Sequence, residues 1–265
     1  MPIDCYRDSD VHVIMCLVLF ILEVNVVNIP TEFPVPSRVL VITPHPDDSE
    51  LGCGGTVAKW VSHGAVVVYV LCTNGDKGSS DPYMTSEKLA AIRTEEQAQA
   101  AETLGVNEVV RLDYPDGGLE DTPEFRGHIV RAVRKYRPDV ALFTDPLRSG
   151  FYLHRDHRIT GTVALDALFP YARDRLHYPQ HETEGLLAHR TPEALLWGTE
   201  SPDTFVDISE TIEKKISALL FHSSQIPPGA SSEEMNRLIK DSAQRLGDSC
   251  GLKYAEGFRR ISFTP

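Results

Sequence analysis

The stretch RVLVITPHPDDSELGCGG, residues 38–55, contains the features that decide the fold. Its first six residues form an apolar run of strand length, and its last four include three glycines that open a helical pattern. Between the two lie His45, Asp47 and Asp48, where the strand ends. A strand that leads directly into a helix predicts the first unit of a parallel sheet, with these polar side chains at its carboxyl edge.

Strand-like and helix-like segments alternate from residue 38 to about residue 170. The segment AVVVYVLCT, residues 65–73, is apolar throughout, as expected of a strand buried on both faces. Further strands are predicted within 106–118 and at 139–145 and 194–199, and helices at 51–64, 86–105, 124–138, 156–169, 209–225 and 232–247, with Ser86 as an N-cap. The alternation predicts an α/β fold, a Rossmann-like and mostly parallel sheet with helices on both faces.

Length and composition fit one domain behind an N-terminal extension. The chain has 265 residues, of which 42% are hydrophobic and 24% charged, as in ordinary globular proteins. We predict an extension over residues 1–37 and a single domain over 38–265. The apolar run at 13–22 is too short to span a bilayer, and the residues before it are not basic as in a signal peptide. We therefore expect no stable membrane insertion and a cytoplasmic location, with export or membrane attachment as the alternative.

The charge and the cysteines restrict the partners and the compartment. A formal net charge of −12 should repel phosphate backbones, so we expect no nucleic-acid partner. The five cysteines form no C-x-x-C pair, which is typical of free thiols in a reducing compartment. We also expect a homo-oligomer, on the general behaviour of acidic enzymes of this size and not on any particular residue.

A second polar loop, TDPLRSGFYLHRDH at residues 144–157, follows the strand predicted at 139–145 and carries His154 and His157. Because ligands bind at the carboxyl ends of parallel strands, we expect this loop to meet the one that carries His45. Two imidazoles and one carboxylate form the ligand set of a catalytic zinc, which leaves a further aspartate and histidine for proton transfer. The alternative interpretation is that the aspartates only cap a helix.

The first motif carries a specific resemblance. PHPDDSELGCGGT, residues 44–56, closely resembles the signature of the PIG-L/LmbE-like N-deacetylases, zinc enzymes that act on N-acetylglucosaminyl conjugates and related amides. RPDVALFTD at 137–145, HRDH at 154–157 and KKISALLFHSSQ at 214–225 resemble later family elements. The resemblance implies that His45, Asp48 and His157 bind Zn²⁺, or Fe²⁺ as an alternative, that Asp47 is the general base, and that His154 and Tyr152 stabilise the transition state.

The implied reaction is removal of an acyl group, acetyl first, from the amide nitrogen of a small N-acetylglucosamine-type conjugate, a linear non-peptide amide. The sequence departs from the family at Arg155, where a proline is common, and at Asn74 and Asp76, where arginine and glutamate are common. Loop position makes Asn74, Asp76, Lys77 and Arg148 candidates for substrate contact. The alternatives are an amidase for another N-acyl or thiol-conjugate substrate and a non-catalytic nucleotide-binding module.

Four other polar residues are expected to have mainly structural roles. Asp116 is interpreted as a turn residue, with approach to the site as the alternative. Arg93 and Glu96 are expected on a solvated or ion-paired helix face. His222 is expected to have a structural or interface role, with an approach to the pocket from the same or another subunit as the alternative.

Overall fold

The computed structural model describes residues 33–148, 153–227 and 229–263. Its seven strands are β1 Arg38–Thr43, β2 Val66–Thr73, β3 Glu108–Tyr114, β4 Val140–Thr144, β5 Glu193–Trp197, β6 Thr204–Asp207 and β7 Ala255–Ser262. They form one sheet in the order β3–β2–β1–β4–β5–β7–β6. The first five strands of this order pair in parallel, and β7 is antiparallel to both β5 and β6. The predicted α/β fold with a mostly parallel sheet is confirmed, whereas β6 and β7 were not predicted.

The α-helices are α1 Asp48–Ser62, α2 Ser86–Leu104, α3 Pro123–Tyr136, α4 Arg155–Asp166, α5 Gln180–Thr183, α6 Ile212–Phe221 and α7 Ser232–Cys250. A π-helical turn, Ala167–Ala172, continues α4. The N-cap of α2 is Thr85, whose side chain accepts the N–H of Lys88 at 3.3 Å, so the prediction of Ser86 is wrong by one residue. Gly105 ends α2 as predicted, with a φ of 81° that favours glycine.

The strand order creates a crevice above the middle of the sheet. From β1 the chain passes to β2 on one side, and β4 then pairs with the other side of β1. The connections that leave β1 and β4 therefore run in opposite directions, which opens a crevice at the carboxyl ends of these two strands. The loops after β1 and β4 are the two that carry the predicted metal ligands.

The core begins ahead of the first strand. Phe33 is 7% exposed, and its ring centroid lies 5.8 Å from that of the fully buried Trp60. Helices α1, α2 and α6 contact one another, α3 contacts α4, and the two groups cover the central strands. Within the described residues no helix is both long and apolar enough to cross a membrane. The apolar run at 13–22 lies outside the described residues.

Helix α1 is broken one turn after it begins. Cys53 has a non-helical φ of −147°, so the N–H groups that follow need other acceptors. The carboxylate of Glu256 accepts the N–H of Gly55 at 2.9 Å and that of the next residue at 2.7 Å. Lys215 donates to the carbonyl of Leu51 at 2.7 Å and contacts Glu256 at 2.5 Å. This buried ion pair thus joins the two halves of the helix that begins at Asp48.

Candidate metal centre and active site

Three side chains, from the loop after β1 and the first turns of α1 and α4, meet above the crevice between β1 and β4. Nδ1 of His45 lies 2.9 Å from Oδ2 of Asp48, and Nε2 of His157 lies 3.1 Å from the same oxygen. The three residues are 5%, 8% and 4% exposed, respectively. One ligand atom from each lies within 4.8 Å of the others. Two imidazole nitrogens and one carboxylate oxygen are the donors that a catalytic zinc uses, so the residues fit a divalent metal.

Two further carboxylates hold the other side of the His45 ring. Nε2 of His45 lies 3.1 Å from Oδ2 of Asp156 and 3.2 Å from Oδ1 of Asp116. Asp156 also accepts the N–H of Gly117 at 2.7 Å, which fixes its carboxylate. Burial alone would lower the pKa of His45, but these carboxylates and Asp48 raise it to about 12. Such carboxylates orient a histidine through Nε2, so Nδ1 can bind a metal when it releases its proton.

The carboxylate of Asp48 is held in its ionised form. Burial opposes the charge of Asp48, but the imidazoles of His157 and His45 hold the pKa of this carboxyl well below its usual range. An ionised carboxylate is the form that binds a cation.

The contacts with His45 show that Asp116 reaches the site. Asp156, which was not predicted as a site residue, supports His45 from the first turn of α4.

Asp47 lies next to the cluster, and its carboxylate also pairs with Arg93 of α2. Its φ of 96° is in the left-handed region, which is strained for a residue with a side chain. Its side chain is 27% exposed, and Nη2 of Arg93 lies 3.2 Å from its Oδ2. Burial, followed by the charge of Asp48, raises the pKa of Asp47 to about 7, against the lowering effect of Arg93. A carboxylate that titrates near neutral pH suits a general base.

Arg93 and Glu96 are buried, at 3% and 6% exposure, so the expectation of a solvated helix face is wrong. The alternative, an ion-paired face, holds for Arg93, which pairs with Asp47 and donates to the carbonyl of Gly75 at 3.0 Å. Glu96 accepts the N–H of Ser224 at 2.7 Å. Through Arg93, helix α2 therefore holds the loop that carries Asp47. Through Glu96, it holds the segment that follows α6.

His154 caps helix α4 at the edge of the site. Its Nδ1 accepts the N–H of Asp156 at 3.2 Å, so in the neutral ring the hydrogen is on Nε2. That Nε2 lies 3.9 Å from Oδ1 of Asp116, and the ring is edge-on to His45 with centroids 4.7 Å apart. Burial, followed by the charge of His45, lowers the pKa of His154, which favours this neutral donor form. Tyr152 lies outside the described residues.

The predicted substrate contacts divide into two groups. Arg148 lines both cavities that open beside Asp48. Asn74, Asp76 and Lys77 are absent from the described linings of these cavities. Lys77 is exposed and pairs with Asp76, whose Oδ1 accepts the N–H of Asp116 at 3.0 Å. The loop after β2 therefore supports the turn that carries Asp116.

Two cavities flank the metal-ligand cluster. The Trp197 cavity, of about 240 Å³, is lined by Trp197 and His157 together with Lys215 and Glu256. The α6–α7 groove, of about 500 Å³, is lined by Asp47, His222 and apolar side chains of the α6–α7 region. Asp48, Leu51, Arg148 and Ile239 line both. His222 thus approaches the pocket from the same chain, and its Nε2 lies 3.5 Å from the buried Glu50.

Comparison with known proteins gives consistent matches. Residues 40–168 match the family model described as PIG-L, GlcNAc-PI de-N-acetylase. Diacetylchitobiose deacetylase of Thermococcus kodakarensis is 36% identical over 228 residues, which cover 84% of this chain and 83% of that protein. The solved structure of N,N'-diacetylchitobiose deacetylase from Pyrococcus horikoshii superposes with a TM-score of 0.81 at 31% identity, covering 98% of this chain and 94% of that one. Mycothiol S-conjugate amidase of Streptomyces coelicolor is 33% identical over 167 residues, 55% of this chain and 56% of that protein.

Proposed function

Since this chain belongs to the PIG-L family of N-deacetylases, we propose that it is a metal-dependent hydrolase for N-acetylglucosamine-type conjugates. It removes the acetyl group from the amide nitrogen of a small amino-sugar substrate. The observation that carries this proposal is the buried cluster of His45, Asp48 and His157 with Asp47 beside it. The cytoplasmic location, the homo-oligomer and the domain boundary at residue 38 remain predictions.

We propose that Nδ1 of His45, the carboxylate of Asp48 and Nε2 of His157 hold Zn²⁺, with Fe²⁺ as the alternative metal. A divalent cation bound there supplies Lewis acidity to the attacking water and to the amide carbonyl. Asp156 and Asp116 keep the hydrogen of His45 on Nε2, the nitrogen that faces them.

The remaining steps belong to two side chains. Asp47 accepts a proton from water as the water oxygen bonds to the carbonyl carbon. His154 donates a hydrogen bond from Nε2–H to the carbonyl oxygen, on which negative charge develops. Asp47 then returns its proton to the nitrogen and the C–N bond breaks. Acetic acid and a free amine form, and the proton of the acid passes to the amine, which gives acetate and an ammonium group. The family resemblance adds Tyr152 as a second donor to the oxygen, and this role remains a prediction.

The test combines metal analysis with amine release. Purified protein is examined by inductively coupled plasma mass spectrometry and assayed on N,N'-diacetylchitobiose and methyl 2-acetamido-2-deoxy-glucopyranoside. We expect about one divalent metal ion per chain and amine release that stops after chelation and returns with Zn²⁺ or Fe²⁺. A metal-free protein that neither binds Zn²⁺ nor releases amine after its addition would contradict the proposal.

A second candidate is an amidase for another small N-acyl or thiol-conjugate substrate, which the likeness to mycothiol S-conjugate amidase favours. The same residues would cleave the bond, so kcat/KM for N-acetylglucosaminides against N-acyl cysteine conjugates separates the two. A nucleotide-binding module is disfavoured because Asp47, Asp48, Asp116 and Asp156 crowd the rim where phosphate would bind.

A further inference from the structure

We propose that the α6–α7 groove binds an apolar aglycone on the amine side of the substrate, while the Trp197 cavity receives the acyl group. This assignment rests on the proposed function, because it presupposes that the amide is cleaved at this site. It gives each side of the scissile amide its own cavity. It specifies the substrate class as amino sugars whose aglycone is an alkyl or aryl group.

The groove is apolar over most of its wall. Its apolar lining residues are Leu51, Leu219, Leu220, Ile226, Met235 and Ile239. Leu51, one turn after the start of α1, is 62% exposed at the junction of groove and cavity. A volume of about 500 Å³ is much more than an acetyl group fills and lies within the range of roughly 300–1,000 Å³ typical of small-molecule sites. Binding of an apolar group is favoured because it displaces water from these apolar walls.

The position of Asp47 decides which part of the substrate enters the groove. Asp47 lines the groove and not the Trp197 cavity, whereas His157 lines the cavity and not the groove. In the proposed reaction Asp47 returns a proton to the leaving nitrogen, so this nitrogen and the sugar that carries it face Asp47. The methyl of the acetyl group lies on the other side of the carbonyl carbon from the nitrogen, and therefore on the side of His157. The aglycone therefore extends along α6 and α7.

The Trp197 cavity is small enough to select a short acyl group. Its volume is about half that of the groove, and Ala243 and Ala255 contribute to its wall. Gly52 allows Trp197 to close one side, since a Cβ at this position would lie 2.5 Å from the indole ring. The buried Lys215–Glu256 pair forms a polar part of the lining, which disfavours a long alkyl chain.

The substrates for the test are methyl and n-hexyl 2-acetamido-2-deoxy-glucopyranoside and the N-hexanoyl analogue of the methyl glycoside. We expect kcat/KM to be at least about tenfold higher for the hexyl glycoside than for the methyl one, since each buried methylene contributes about fourfold at most. The N-hexanoyl compound should react at least about tenfold more slowly than its acetyl counterpart.

Two variants on one helix test whether the preference for the hexyl glycoside arises in the groove. Met235→Gln makes the groove wall polar and should lower the hexyl-to-methyl ratio of kcat/KM at least about threefold. The matched control is Leu238→Gln, because Leu238 lies on the same helix, is 52% exposed and is not part of the groove lining. The control should leave both rates and their ratio unchanged.

The outcomes separate this proposal from the proposed function. Equal kcat/KM for the two glycosides overturns the aglycone assignment while the deacetylase function stands. If neither these glycosides nor N,N'-diacetylchitobiose is hydrolysed, the function fails, and calorimetric titration with methyl and hexyl 2-amino-2-deoxy-glucopyranoside tests the groove alone. Tighter binding of the hexyl compound that Met235→Gln abolishes supports the groove, and equal binding overturns it. A change of molecular mass in Met235→Gln, measured by light scattering, would indicate a second copy as the occupant and also overturn the proposal.

Discussion

The neighbours of Asp47 change the pKa of its carboxyl group. The left-handed backbone at φ 96° places it before α1 and leaves the next residue, Asp48, to face the two imidazoles. Adjacent carboxylates with different environments can then serve different roles, one as ligand and one as base. The pKa values agree with this division, because that of Asp47 is raised to about 7 and that of Asp48 is lowered.

We predict that Asp47→Asn lowers kcat by about 10²–10⁴-fold, because the amide cannot accept the proton of water. Bound metal should remain at the wild-type level, since Asp47 is not among the three clustered ligands. Amine release and metal content measured on the same preparation check both points. Asp113→Asn is the matched control, as Asp113 is exposed and also has a positive φ, of 54°. Wild-type turnover in Asp47→Asn would remove this residue from the role of base.

The pH dependence should report the carboxyl of Asp47. As a base it acts when ionised, so kcat/KM should fall about tenfold per pH unit on the acid side of its pKa. The cation of Arg93 lowers this pKa, against the raising effect of burial. Arg93→Met should therefore move the acid limb to higher pH, by about one unit. A pH–rate profile of both proteins checks the direction, and a limb that stays in place or moves to lower pH contradicts the assignment.

Asp156 should act on metal affinity through His45. We predict that Asp156→Asn weakens metal binding by about 10–100-fold, since the neutral amide no longer favours the hydrogen on Nε2 of His45. Competition with a chromogenic chelator measures the affinity. Asp166→Asn, on the same helix but outside the cluster, should bind metal as the wild type does. Equal affinities in the two variants would show that Asp156 does not orient the ligand.

The motif residues could be predicted from the sequence, and the residues around them could not. His45, Asp48 and His157 lie in short segments whose position after a strand determines where they point. Asp116 and Arg93 belong to segments whose polar character also fits a surface turn or a solvated helix. Their contacts become visible only in the folded chain, where the loop after β3 and helix α2 bring each side chain within hydrogen-bond distance of the loop after β1.

At the scale of elements, helix α1 is held by two charges instead of a continuous hydrogen-bond ladder. Lys215 satisfies a carbonyl of the first turn, and Glu256 satisfies the N–H groups that follow the break at Cys53. The first turn carries Asp48, so the orientation of this candidate ligand depends on α6 and β7. The buried pair therefore contributes to the geometry of the site as well as to stability.

We predict that Lys215→Met lowers the free energy of unfolding by about 3–5 kcal/mol, because it leaves the carboxylate of Glu256 buried without a cation. Urea denaturation measures the change. Lys214→Met is the matched control, since Lys214 is exposed on the same helix and should cost less than about 0.5 kcal/mol. The double variant Lys215→Met, Glu256→Gln should regain part of the loss. Equal stability of the two single variants would show that the pair does not support the helix.

The elements that could be predicted are those with continuous apolar patterns. Strands β1, β2 and β4 are buried on both faces, and their sequences are accordingly apolar over most of their length. Strand β7 alternates between buried and accessible residues and contains Arg259 and Arg260, so its sequence resembles a polar terminal segment. Strand β6 has only four residues. Both strands are stabilised by pairing with β5 or with each other, which no local pattern reveals.

On the scale of the whole molecule, Phe33 joins the packed body ahead of residue 38, and the domain boundary at residue 38 remains a prediction. Phe33 packs on Trp60, and the guanidinium of Arg260 lies 5.2 Å from its ring centroid. One side chain ahead of β1 thus contacts α1 and the antiparallel strand β7. Its burial links the first helix to the last strand, the same two elements that the hydrogen bonds of Glu256 connect.

We predict that a chain of residues 33–265 folds and keeps its catalytic activity, whereas a chain of residues 38–265 is less stable by about 3 kcal/mol, the lower end of the cost of removing a buried phenylalanine. For a domain of this size the difference corresponds to a melting temperature lower by about 6–12 °C, which calorimetry resolves. Phe33→Ala in the full chain should reproduce the loss, because the buried ring and not the length of the segment is responsible. Equal melting temperatures for the two truncated chains would place the edge of the domain at residue 38, and loss of folding in the 33–265 chain would place it nearer the N-terminus.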